Sequence, residues 1–149
     1  MMRPLQELVP DIAARETWTF IVDGIAGLPP GEYAFHECYC DDPTCDCRHV
    51  QFIARRRGSD VDWAYIDFGW ESAAFYAKLC RSSLVQARRL CKPSLCGMKK
   101  QSPYARTLLD LLSKEIVKPS GKSLLAWHYR LFKEALEAEI LDLPREEEC

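Results

Sequence analysis

Four of the chain's eight cysteines fall within ten residues: Cys38, Cys40, Cys45 and Cys47, spaced C-x-C-x4-C-x-C. A histidine stands two residues outside each end of this group, at His36 and His49. Thiolate and imidazole are the ligands zinc prefers, and four cysteines, or three cysteines and a histidine, are its usual structural sets. The expected cofactor is therefore Zn2+, held by Cys38, Cys40, Cys45 and Cys47, with His36 or His49 as alternates. An iron–sulfur cluster is the less favoured choice, because such clusters draw their cysteines from loops that wrap around them. Reduced, unliganded thiols packed as small hydrophobes are the plainer alternative.

The residues that join the two cysteine pairs are Asp41-Asp42-Pro43-Thr44, which is turn chemistry. The pattern predicts two antiparallel strands and a four-residue hairpin loop. If Cys40 faces Cys45, then Cys38 faces Cys47 and His36 faces His49. Strand side chains alternate between faces, so these six residues share one. The other face then pairs Glu37 with Arg48, Phe35 with Val50 and Tyr33 with Phe52, an ion pair followed by an apolar core surface. The weak point is geometric: a flat ladder of sulfurs makes a poor tetrahedron unless the Asp41–Thr44 tip bends.

The remaining cysteines do not extend the site. On a continuous helix, Cys80 and Cys91 lie on one face but about 16 Å apart, so they cannot share an ion unless the helix breaks at Arg81-Ser82-Ser83. Cys91 and Cys96 could meet across a loop, yet two ligands make no zinc site. Cys149 stands on the tail and is expected to be inert. Gly121-Lys122-Ser123 mimics the end of a phosphate-binding loop, but position 116 is Ile rather than the required glycine and no strand precedes it. His128, between Trp127 and Tyr129, is expected to be a satisfied core or boundary histidine. No nucleophile–base signature or H-E-x-x-H motif is present, and a non-enzymatic role is expected.

The totals set the frame. The 149 residues carry a net charge of −2, with 48% hydrophobic and 28% charged residues, which is the profile of an ordinary globular chain. One domain over 1–149 is expected, with the cysteine hairpin at 32–57 inside it and a flexible tail at 144–149. There is no bulk basic footprint for nucleic acid; the local basic cluster Arg55-Arg56-Arg57 is the weak candidate for such contact, and solvated turns are the commoner explanation. Met1-Met2-Arg3-Pro4 leads into no apolar run of signal-peptide length, and no stretch approaches a membrane span. The cytoplasm is then the expected compartment, where thiols stay reduced and a tight cysteine cluster reads as metal or redox chemistry rather than a disulfide framework.

The elements that must position the cluster follow from periodicity. Pro4 to Pro10 reads as an arm. Asp11 caps a helix over about 12–27 on the spacing of Ala14, Trp18, Ile21, Ile25 and Leu28, with a strand through Thr17–Val22 as the rival. Strands follow near 32–40, 47–57 and 61–68. Helices are expected near 72–91, 102–117 and 123–141, the second begun by Ser102-Pro103 and closed by Pro119-Ser120-Gly121. Trp127 and Ile140 are placed on the core side of the last helix. The fold class is α+β: a three-stranded antiparallel β-meander packed against flanking α-helices.

Several segments together resemble a family of uncharacterised bacterial proteins: Pro29-Pro30-Gly31-Glu32-Tyr33, the run Tyr39 to Arg48, Tyr65-Ile66-Asp67-Phe68-Gly69-Trp70-Glu71-Ser72, Gln101-Ser102-Pro103, and His128 to Phe132. They span most of the chain in one order. The resemblance implies relatives but no activity, substrate or site to transfer, and Cys38, Cys80, Cys91 and Cys96 lie outside it. The expected function is a small metal-binding module that engages a protein partner or, less favoured, nucleic acid. The alternative is a thiol-based redox or metal-sensing protein that uses the same cysteines.

Overall fold

A computed structural model of the chain describes residues 1–24 and 27–142. Ile25, the tail from Pro144 and Cys149 lie outside the described residues. The chain is mixed α and β, built on an antiparallel sheet. Its strands are β1 (Met2–Pro4), β2 (Trp18–Val22), β3 (Gly31–Cys40), β4 (His49–Arg56), β5 (Ala64–Gly69) and β6 (Ser94–Leu95). The helices are α1 (Leu5–Leu8), α2 (Pro10–Glu16), α3 (Ala73–Cys80), α4 (Leu84–Ala87), α5 (Ala105–Ile116) and α6 (Pro119–Leu141).

The sheet order is β1-β3-β4-β5-β6, with β2 also paired to β3. The expected three strands β3, β4 and β5 are thus the centre of a six-stranded sheet rather than the whole of it. One edge of β3 is shared. β1 covers Cys38–Cys40 and β2 covers Gly31–Phe35, leaving His36 and Glu37 in the gap. The α1–α2 segment connects the two strands.

The helix expected over 12–27 is therefore corrected. It ends at Glu16, Thr17 is extended, and Trp18–Val22 is a strand. Trp-Thr-Phe-Ile-Val is β-branched and aromatic, and it gains a full ladder along β3. Ile21, assigned to the helical core face, is 86% exposed. The helix that does form takes Val9 as its cap, without a side-chain bond, so Asp11 lies inside it rather than capping it.

The helix expected over 72–91 also breaks. Ser72 caps α3 by accepting from the Phe75 amide, Arg81 then turns left-handed at φ 51°, and Ser83 caps the short α4. Further on, Pro119 begins α6 instead of ending α5, because proline suits the first helical turn as well as it stops a preceding one. Gly121 makes that tight corner possible: a Cβ there would lie 2.4 Å from the Glu115 carbonyl oxygen. Trp127 and Ile140 are exposed, not core.

The core lies between one sheet face and the helices. Tyr33, Phe35 and Tyr39 of β3, Val50, Phe52 and Ala54 of β4, and Ile66 and Phe68 of β5 are all fully buried. They meet Leu108, Leu112 and Ile116 of α5 and Leu125 and Phe132 of α6. Each buried aromatic or aliphatic side chain contributes about 1.5–3 kcal/mol by leaving water.

Candidate metal centre

The β3–β4 register differs from the expected one. Cys38 faces Gln51 rather than Cys47, and His36 faces Ile53 rather than His49, a shift of four residues along β4. Phe35 faces Ala54, Tyr33 faces Arg56, and Glu37 faces Phe52 instead of Arg48. An even shift leaves every side chain on its expected face, so the core face survives while all of its rungs change. The ladder stops at Cys38–Gln51 and the hairpin loop is longer than four residues. The cysteines therefore do not form a flat double rung.

The loop is organised by polar contacts instead. Asp42 Oδ1 accepts from the Thr44 amide at 2.9 Å and from its hydroxyl at 2.7 Å, an Asx turn that folds the tip. These contacts hold the Asp42 carboxyl below its ordinary pKa, the Thr44 hydroxyl most of all. Lys133 of α6 donates to the carbonyls of Cys40 at 2.9 Å and Asp42 at 3.0 Å. Tyr129 donates to Asp46 at 2.9 Å. At the far end Arg48 takes a left-handed φ of 46°. It is fixed there by Asp46 at 3.0 Å, by Glu71 at 3.3 Å, and by the Tyr76 hydroxyl, which donates to its carbonyl at 2.6 Å.

This folded loop gathers Cys40, Cys45 and Cys47, whose sulfurs lie within 4.8 Å of one another. A zinc–sulfur bond of about 2.3 Å implies sulfurs about 3.8 Å apart in a tetrahedral site. The triad thus needs contraction of about 1 Å or less to close on an ion. All three thiols are half-buried. Burial first, and the adjacent Cys45 second, push the Cys47 thiol up to about 12. Crowded thiols resist becoming thiolates together; a divalent cation removes that resistance.

Among the described residues no other expected ligand joins this group. Cys38 is buried between Pro4 and Gln51 on its two neighbouring strands, and burial lifts its thiol to about 11. His36 and His49 lie on the same sheet face, opposite Ile53 and Gly69, and burial lowers the pKa of each. The helix does break at Arg81–Ser83, the condition under which Cys80 and Cys91 could have shared an ion, yet among the described residues Cys80, Cys91 and Cys96 form no ion-holding group. Cys80 is exposed, the Cys91 thiol turns back to the Ala87 carbonyl at 3.6 Å, and Cys96 is buried. Arg55, Arg56 and Arg57 each have a partner within the chain: Asp62 at 2.6 Å, the Pro30 carbonyl at 2.5 Å and Glu32 at 3.2 Å.

Sequence reasoning missed a second polar cluster under the sheet. His128 is fully buried, with Nδ1 2.7 Å from Glu37 Oε2 and Nε2 in contact with Glu16. Tyr39 donates to the same Glu37 at 2.5 Å. The two carboxylates sit on opposite edges of the imidazole, so the three residues bridge elements rather than converge on an ion. Burial works to lower the His128 pKa, but the Glu37 and Glu16 carboxylates outweigh it and the net direction is upward. Comparison of the chain with protein-family models, with curated proteins and with solved structures finds no match.

Proposed function

We propose that Cys40, Cys45 and Cys47 bind a zinc ion that fixes the β3–β4 loop, and that the loop and the adjoining face of α6 form a surface for a partner protein. The observation that carries this reading is the convergence of three sulfurs within 4.8 Å on a loop held by contacts from α6. Three thiolates around Zn2+ leave a net negative centre, and the Lys133 ammonium is the cation that the loop already holds. The resemblance to a bacterial family belongs to the same proposal and adds no activity to it. Structural zinc couples to folding, so metal loss should loosen the loop.

The competing reading is thiol redox chemistry at the same residues, which their mutual proximity and partial exposure favour. Against it stands the raised Cys47 pKa, since reactive cysteines need an accessible thiolate. Metal analysis of purified protein, with thiol counts before and after a chelator, decides between them. Bound zinc with masked thiols supports the metal reading; metal-free, rapidly titrating thiols support the redox one.

A further inference from the structure

A closed structural zinc site has four protein ligands, whereas an open one has three and an exchangeable position. The described residues supply three sulfurs. The triad is only half-buried, so protein does not enclose it. One of its members, Cys45, also lines a groove of about 490 Å³ between the loop and α6.

The groove has the parts of a small-molecule site. Its floor is Trp70 and Tyr129, each 8% exposed, with ring centroids 5.3 Å apart. On the loop side the charge of Arg48 is met by Asp46 and Glu71. On the helix side Arg130 and Lys133 line the wall together with Glu134 and Glu137. Among the described residues, neither of these two cations forms a salt bridge. Arg130 lies 5.7 Å from the Trp127 ring centroid, and Lys133 is bonded to carbonyl oxygens. Cys45 of the triad at one end, and along the wall two cations that form no salt bridge among the described residues, suit a ligand with a soft donor and a negative group.

We propose that the fourth position of the metal opens on this groove and takes the thiolate of a small anionic thiol, whose charged end meets Arg130 and Lys133. The inference rests on the metal reading above. The step is a ligand exchange: the thiol gives its proton to solvent, a metal–sulfur bond forms, the water on the metal leaves, and nothing is oxidised or reduced.

The test uses the full chain loaded with Co2+, whose visible spectrum reports sulfur count and geometry. The probes are 3-mercaptopropionate, 2-mercaptoethanol and propionate. The expected result is a saturable rise of the sulfur-to-cobalt band with 3-mercaptopropionate at about tenfold lower concentration than with 2-mercaptoethanol, and no response to propionate. Arg130→Gln changes an exposed side chain. It should abolish that preference while leaving cobalt stoichiometry and the 2-mercaptoethanol response unchanged. Four sulfurs on the metal before any thiol is added would overturn the proposal; loss of one of them in Cys38→Ser or Cys149→Ser would name the donor. A spectrum indifferent to thiols, or equal affinity for the two thiols, would overturn it as well. If the chain binds no cobalt or zinc at all, the metal reading falls too; if it binds metal and only the thiol response fails, the metal reading stands alone.

Discussion

His128 Nδ1 and Glu37 Oε2 lie 2.7 Å apart with both side chains buried, and Glu16 meets the opposite edge of the imidazole. This pair ties α6 to β3, and Glu16 brings in the end of α2. It does so near the gap between β1 and β2. Both ring nitrogens face carboxylate oxygens, so the imidazolium form satisfies both.

The pH dependence follows from that arrangement. The folded pKa of His128 is raised above its ordinary value of about 6.5. Its contribution to stability is therefore complete below about pH 6.5 and is lost as pH rises through the folded value. Denaturant midpoints measured from pH 6 to pH 9 should fall on the alkaline side, and His128→Phe should flatten that limb. A midpoint that holds or rises over the same range contradicts the assignment. Removing one member of a buried ion pair costs about 3–5 kcal/mol, so Glu37→Ala should destabilise on that scale.

Gly69 closes the end of β5 under the loop. A Cβ there would stand 2.4 Å from the Tyr76 hydroxyl and 2.7 Å from the Leu90 carbonyl oxygen. The same hydroxyl holds the Arg48 carbonyl. Gly69→Ala should cost about 2–3 kcal/mol by overpacking and should increase amide exchange near Arg48. A variant as stable as the parent would mean that the Tyr76 hydroxyl and the Leu90 carbonyl do not close over Gly69.

Lys133→Met keeps the aliphatic stem and removes the charge. The two carbonyl bonds from Lys133 should be lost, with a cost of about 1 kcal/mol and weaker zinc binding. Unchanged zinc affinity in a competition assay would mean that this cation does not support the loop.

How far the sequence foretold these features depends on the length scale of the contact. The core and polar faces of β3 and β4 were legible, because alternation is local and survives a shift of four residues. The register was not. It is set by a folded tip whose anchors, Tyr129 and Lys133, come from α6 far along the chain. The strand at Trp18–Val22 competed with a helical spacing, and pairing with β3 decided it. The break at Arg81 carries no proline or glycine to announce it. Spacing singled out Cys38, Cys40, Cys45 and Cys47 together, and only the observed structure shows that Cys38, opposite Gln51, lies outside the group of three. Of the Glu16–His128–Glu37 bridge, only the satisfied histidine was foreseeable, since its two partners come from two other elements, α2 and β3.

Cys38 and Cys45 therefore make opposite predictions. Cys45→Ser should lower zinc stoichiometry and thermal stability together, whereas Cys38→Ser should leave zinc binding intact and cost only packing, about 1 kcal/mol. Loss of zinc in Cys38→Ser with retention in Cys45→Ser would reverse the ligand assignment.

The most direct test of the central claim is the zinc content of purified protein, read with the number of thiols masked from titration before and after chelation. About one zinc per chain is expected, with Cys40, Cys45 and Cys47 unreactive until the chelator is added. Protein that carries no metal after purification in the presence of zinc, with those three thiols freely reactive, would contradict it.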